Sequence, residues 1–441
     1  MFSNQALRKM LIPLFFEQFL VMLVGLADTF IISYAGEAAV SGVSLVNMFN
    51  TIFIYLFTAL AAGGAVVISQ YIGNQNKKLS NESSSQLLMF SAVFSVFMMI
   101  FVLVIKNAVL TMLFGHVEEA VMEAAQTYLR ISAYSYPALA VYNAGAALYR
   151  SMGKTSVTMY ISIFSNVINV VGNCIGVYVL HAGVAGVAYP SLLARLFSAG
   201  VITVLCFKQT NAVYYEKEMV FNWNGQLLGK MLSIAIPNGF EQGVFQLVKV
   251  ALGSVVALFG TYQIAANGIA QSIWSVAALV GASFSPVFTT VIGQCMGAGD
   301  IQQADFYFKK LMKWALVFSI TWNILIGLGT PLMMNFYNVS EQTKNLVIEL
   351  VIIHNIFNAI AFPFSGLLPS GLRACGDVKF TMYVSILSTV VVRLVLSIIL
   401  GVWFNMGVVG IAFAMCFDWT ARGIVFAYRF MKGAWKNMRV I

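Results

Sequence analysis

The chain has 441 residues, 60% of them hydrophobic and only 9% charged, and a net charge of +9. Soluble domains use about 25% charged residues, so this composition excludes a dissolved globular enzyme or binding module. The basic residues are scattered singly and in pairs, which also excludes a nucleic-acid-binding patch.

Residues 1–9 are short, and the first apolar run, 10–34, is far longer than the apolar core of a cleaved signal peptide. It reads as an uncleaved first helix carrying Glu17 and Asp28. At a rise of 1.5 Å per residue Asp28 lies about 27 Å along the axis, in the outer half of the span. Further runs are predicted at 44–72, 86–114 and 120–150, then at 157–180 with Asn166, Asn169 and Asn173, and at 184–207 with Ser191 and Arg195. A polar stretch, Lys208–Gly225, separates these from runs at 227–259 with Glu241, Gln242 and Lys249, and at 263–296, 306–330 and 340–372. The last two, 380–404 and 408–430, carry Arg393 and Asp418. Each is long enough to cross a bilayer, which makes twelve spanning helices and lipid the solvent. The five cysteines fall in or at the ends of apolar runs without a CxxC pair and read as small buried hydrophobes, and His116 and His354 are single and have no metal-ligand spacing.

With both termini in the cytoplasm, 19 of the 25 basic residues fall in inside segments and only Lys106 and Lys344 outside. This asymmetry obeys the positive-inside rule in every loop, which a miscounted helix would scramble.

The two halves repeat. Ile12-Pro13 with Glu17-Gln18 matches Ile236-Pro237 with Glu241-Gln242 at an offset of 224, and Gln70 to Gly73 matches Gln294 to Gly297 at the same offset. Arg150 to Gly153 with Thr158 matches Arg373 to Gly376 with Thr381 at 223, and Gly183 and Gly186 match Gly407 and Gly410 at 224. The chain is therefore a duplicated six-helix unit whose repeat axis runs along the membrane normal, a pattern of alternating-access transporters. The expected domains are an N-lobe over 1–207, a cytoplasmic linker over 208–226, a C-lobe over 227–430 and a basic cytoplasmic tail over 431–441.

Ile12-Pro13 followed by Ala27-Asp28-Thr29, Gly36 leading to Ala39 through Ser44, Gln70-Tyr71-Ile72-Gly73, and Arg150 through Thr155 together resemble the multidrug and toxic compound extrusion (MATE) family over essentially the whole chain. The resemblance implies an all-α membrane protein of two six-helix lobes facing a central cavity that opens alternately inward and outward. It implies export of amphipathic, often cationic organic compounds, or drugs, driven by inward Na+ or H+, with no other cofactor. The expected setting is the plasma membrane, as a multi-pass protein of a bacterial inner membrane, functional as a monomer.

Ionisable groups within spanning helices cost several kcal/mol and mark functional positions. Asp28 matches a family aspartate of the N-lobe cavity that takes part in cation coupling. Asn169 and Asn173, four apart, project from one helix face, so both carbonyl oxygens can meet one ion. In family terms they match an asparagine and an acidic position, and Ser191 matches a hydroxyl residue. Asn173 departs from the aspartate often found there, leaving one carboxylate among neutral oxygens. The expected cation-coupling site, for Na+ or a proton, is Asp28, Asn169, Asn173 and Ser191, the alternative being asparagines that merely bond helix to helix. Glu241 matches a family C-lobe glutamate; with Gln242 and its repeat partner Glu17 it is expected in the substrate cavity or in C-lobe coupling, unless Lys249 neutralises it. Arg130, Arg195, Arg393 and Asp418 are expected to form lobe-stabilising pairs or to snorkel.

A lipid-linked oligosaccharide flippase of a related superfamily shares the two-lobe plan, but such proteins often carry more helices and several cavity arginines. An unrelated twelve-helix facilitator fits the hydropathy but not the motifs. A membrane enzyme would need a nucleophile–base pair or a metal cluster at membrane depth, and the sequence offers neither. A channel is disfavoured by the duplication and the lack of a filter-like loop.

Overall fold

The computed structural model describes residues 2–114, 117–337 and 339–441; His116 lies outside them. All regular structure among the described residues is helical. Contacts divide the chain into two units, Asn4–Gly239 and Phe240–Ile441, with Phe2 and Ser3 joining the second. The boundary falls within one helix rather than in the polar stretch that follows residue 207.

The first unit contains α1 (Asn4–Ser33), α2 (Glu37–Gly73), α3 (Lys77–Phe114), α4 (Glu119–Tyr134), α5 (Tyr136–Ser151) and α6 (Thr155–Cys174), the last prolonged by a π-helical turn, Ile175–Val179. It is completed by α7 (Ala185–Cys206), the short α8 (Lys217–Phe221) and the first part of α9 (Gly225–Val256). The second unit holds the rest of α9, α10 (Thr261–Ala277), α11 (Leu279–Gly297), α12 (Ile301–Met334), α13 (Glu341–Phe362) and α14 (Leu368–Cys375). Then follow α15 (Val378–Leu387), π-helical Ser388–Val395, α16 (Leu396–Ile398), π-helical Ile399–Trp403 and α17 (Val408–Lys432).

Among the described residues 11 helical stretches are long and apolar enough to cross a membrane. The run expected at 120–150 supplies the twelfth, but as two helices of 16 residues joined at Ser135. Pro137, in the first turn of α5, explains the break: it has no N–H to donate and its ring crowds the preceding turn.

The duplication is visible in the backbone. Gly36 and Gly260 have φ of 103° and 90°, and Gly153 and Gly376 have 74° and 106°. Side chains disfavour these left-handed conformations, so glycine at matching positions preserves matching turns.

The polar stretch after α7 is strapped to the start of α3. Asn81 Nδ2 donates to Glu216 Oε1 at 2.5 Å, Ser85 Oγ accepts from Glu216 N at 3.0 Å, and Gln86 Nε2 donates to Met219 O at 2.6 Å. Asn224 Nδ2 donates to Glu82 Oε1 at 2.6 Å. Hence most of the run Ser80 to Gln86 is buried although it is polar: Asn81, Glu82, Ser85 and Gln86 bond the connecting chain, while Ser80 and Ser84 bond the carbonyls of Asn76 and Asn81. The apolar core beneath α4 and α5 contains Phe53, Phe57, Leu129 and Tyr136, and the Tyr136 hydroxyl donates to buried Asn50 Oδ1 at 2.6 Å.

Candidate functional site

Glycines bring α6 and α7 together. A Cβ at Gly172 would lie 2.6 Å from Pro190 Cβ, and one at Gly176 would collide with the backbone of Gly186. Two glycines four apart let a neighbouring backbone approach closely, the small-residue packing used where water does not drive helix association. Gly176→Ala must push the helices apart and should cost about 1–3 kcal/mol of stability, as overpacking does. The expected readout is a lower melting temperature of the purified protein, whereas Gly200→Ala, with nothing within 4 Å of its added carbon, should leave it unchanged.

That approach assembles a chain of hydrogen bonds across three helices. Asn169 Nδ2 donates to Ser191 Oγ at 2.8 Å, and the Ser191 hydroxyl donates to Val187 O at 3.0 Å. Asn173 Nδ2 donates to Asn169 Oδ1 at 3.2 Å and to Asp28 Oδ1 at 2.6 Å. Asn169 and Asn173 are buried, Asp28 and Ser191 half-buried. All four residues of the expected cation-coupling set thus meet in one network within the first unit. Asn173 Oδ1 is buried without a hydrogen-bond partner, an expensive arrangement for an amide oxygen. Asn166 faces elsewhere along α6, its Nδ2 reaching Ser162 Oγ at 3.5 Å.

Glu17 and Glu241 are placed differently. Arg150 Nη2 donates to Glu17 Oε1 at 2.7 Å, and Thr158 Oγ1 donates to Glu17 Oε2 at 2.8 Å. In the second unit Arg373 Nη2 donates to both carboxylate oxygens of Glu241 at 2.8 Å, and its Nε donates to Thr381 Oγ1 at 3.3 Å. The repeat therefore carries a Glu–Arg–Thr cluster in each unit, and both glutamates are already neutralised. The partner of Glu241 is Arg373 rather than Lys249. Lys249 was the attractive candidate because it shares a helix with Glu241, whereas Arg373 is brought in by a packing contact 132 residues away in the chain. Gln242, beside Glu241, is half-buried.

Of the remaining intramembrane charges, fully buried Asp418 pairs with Arg422 at 2.7 Å and accepts from Ser388 Oγ at 2.6 Å. Arg195 donates to Ser135 Oγ at 2.6 Å, at the break between α4 and α5. Arg130 is exposed. Asn355 is committed to the Asn323 carbonyl at 3.1 Å, and His354 stacks on Trp274 with ring centroids 4.8 Å apart. Sequence reasoning missed Arg150 and Arg373 as partners of the two glutamates, although both lie in the matched motifs. Among the described residues no group of three or more potential metal ligands comes together, and none of the five cysteines forms a disulfide.

The architecture and the network can be set beside known proteins. The MatE family model matches residues 13–175 and again 237–399, once on each half of the duplication. The chain is 27% identical to the uncharacterized transporter YisQ of Bacillus subtilis over 430 residues, covering 96% of this chain and 93% of that protein. It is 23% identical to the probable multidrug resistance protein NorM of Thermotoga maritima over 451 residues, with 99% and 94% covered. An outward-facing MATE family transporter of the MOP superfamily superposes with a TM-score of 0.91 at 21% identity, covering 98% of this chain and 96% of that one. With its duplicated helical fold matched by the family model in both halves, the chain belongs to the MatE family, whose members are membrane transporters rather than enzymes.

Proposed function

We propose that this chain is a secondary exporter that expels amphipathic organic cations in exchange for inward Na+ or H+ by alternating access, with Asp28 as the coupling carboxylate. Asn169, Asn173 and Ser191 serve it as neutral oxygen ligands. One observation carries the reading. The amide nitrogen of Asn173 lies 2.6 Å from Asp28 Oδ1 and 3.2 Å from Asn169 Oδ1, so two oxygens converge on one point of positive partial charge. A monovalent cation supplies the same charge. Turning the Asn173 amide brings its unpartnered Oδ1 towards that cation at no cost in shape, because the two ends of the amide are nearly the same size. Protonation of Asp28 is the simpler alternative within the same site. The relatives named for multidrug resistance and multidrug extrusion support the export of small organic molecules.

In this reading residues 1–207 and 227–430 act as the N- and C-lobes, both termini face the cytoplasm of a bacterial inner membrane, and the monomer is the working unit. Gln242 contributes to the substrate cavity. Proteoliposomes loaded with a fluorescent organic cation should release it when an inward Na+ or pH gradient is imposed separately, and the effective gradient names the coupling ion. Expression in a pump-deficient bacterium should raise resistance to cationic dyes and drugs. Unchanged resistance in cells that need the protein to translocate a lipid-linked precursor would establish the flippase reading instead.

A further inference from the structure

The two copies of the repeat differ near the start of α3 and α12. Asn76 N bonds Tyr71 O at 3.1 Å and Asp300 N bonds Cys295 O at 3.0 Å, the same turn 224 residues apart, so the two helices are in register at that offset. In the first unit Ser85 is fully buried under the connecting chain, and Met89, one turn on, is half-buried. The second unit places Lys309 and Lys313 at these two positions, and both are exposed. Where one copy offers a hydroxyl to a covering segment, the other offers two cations four residues apart, which project from one helix face.

These lysines stand at one end of an apolar groove of about 480 Å³. Met312, Leu316 and Ile320 of α12, Phe364 of the π-helical turn Pro363–Leu367, and Phe430 and Met431 of α17 line it with them. Among the described residues lining it, only Lys309 and Lys313 are polar. Trp435 stacks on Phe430 with ring centroids 5.5 Å apart and packs on Phe308 at 5.0 Å, which fixes the wall at the lysine end. The turns before Lys309 carry Gln302, Gln303 and Asp305, and the turn after Lys313 is apolar, so the lysines mark the border of the hydrocarbon. From Lys309 to Ile320 is about 16 Å along the axis, and one leaflet of hydrocarbon is about 15 Å deep, so a single acyl chain matches the groove in length. Lys309 shares the carboxylate of Asp305, one turn back, whereas Lys313 and Lys432, which follows Met431, form no ion pair among the described residues. An apolar slot with net positive charge at its mouth calls for a ligand that is long, apolar and negatively charged at one end.

We propose that this groove binds an anionic phospholipid, with one acyl chain lying along α12 beside α17 and the phosphate meeting Lys309 and Lys313. Each lysine is a compact charge with three donors, which suits a phosphate presenting several oxygens. The ligand is a lipid of the bilayer rather than cargo, because the two lysines are the groove's only means of reading a polar group among the described residues. The site lies wholly within the second unit, so it goes beyond the exporter reading and does not depend on it.

The test titrates delipidated full-length protein in detergent with dioleoyl phosphatidylglycerol or dioleoyl phosphatidylcholine, which share their acyl chains and differ in headgroup charge. Bound lipids are counted by native mass spectrometry. The first phosphatidylglycerol should bind at least about tenfold more tightly than phosphatidylcholine, the scale of two lysines near an anionic headgroup. Lys313→Gln should weaken phosphatidylglycerol about fivefold and leave phosphatidylcholine unchanged. Val317→Trp, which fills the groove from a lining position, should weaken both lipids alike. Lys313 and Val317 are both exposed, so neither variant threatens the fold. Equal affinities for the two lipids in the unmodified protein, a preference undiminished in Lys313→Gln, or full affinity in Val317→Trp overturns the proposal. Displacement of the lipid by glycerol phosphate also overturns it, reducing the site to a patch for free phosphate. A dimer that forms without lipid and is lost in Val317→Trp overturns it by assigning the groove to a second copy of the chain.

Discussion

Asp28→Asn reduces gradient-driven efflux to the level of protein-free liposomes, while the purified variant keeps its helical content and its affinity for a cationic dye. That expected result follows from the physics of a carboxylate in lipid. An ionised Asp28 costs several kcal/mol at membrane depth unless a cation or a proton neutralises it. Occupancy therefore shifts the balance between conformations, and a shift of about 1.4 kcal/mol changes their ratio tenfold. Asparagine imitates the neutralised state permanently, so the ion has nothing left to change. The 2.6 Å bond from Asn173 Nδ2 would survive, because an amide oxygen accepts it as a carboxylate does. Asn173→Asp adds a second carboxylate beside the first and should tighten Na+ dependence or convert it to proton dependence. Efflux that persists in Asp28→Asn with its original ion dependence would place coupling elsewhere in the chain.

Glu17→Ala is expected to lower stability by about 3–5 kcal/mol, the cost of leaving a buried charge without its partner. The Glu17 side chain is 5% exposed and that of Arg150 25%, so water compensates little of the loss. Glu17→Gln should cost less, since the amide oxygen still accepts from Arg150 while its NH2 can donate to the Thr158 hydroxyl. The same ordering should hold for Glu241→Ala and Glu241→Gln against Arg373, whose two bonds are both 2.8 Å. Thermal melting of the four variants reads the effect, and a double variant with Arg150→Leu should recover part of it. A fall in substrate affinity at unchanged melting temperature would instead assign Glu17 to the substrate cavity.

Much of this was legible in the sequence. Hydropathy dictated twelve spans because lipid cannot satisfy an exposed backbone, and the matched motifs revealed the duplication because turns such as those at Gly153 and Gly376 require the same residue type in each copy. The meeting of Asp28, Asn169, Asn173 and Ser191 was legible too: the Asn169–Asn173 spacing fixes one helix face, and the family resemblance supplied Asp28 and Ser191. What tertiary structure alone decided was pairing. Charges at membrane depth must find partners, yet hydropathy is silent on which helices touch, so Glu241 suggested its helix neighbour Lys249 while packing supplied Arg373. The break at Ser135 and the burial of the polar run Ser80 to Gln86 were hidden for the same reason. A pattern along one chain reports which side chains prefer lipid; which polar groups satisfy one another depends on contacts between residues more than a hundred positions apart.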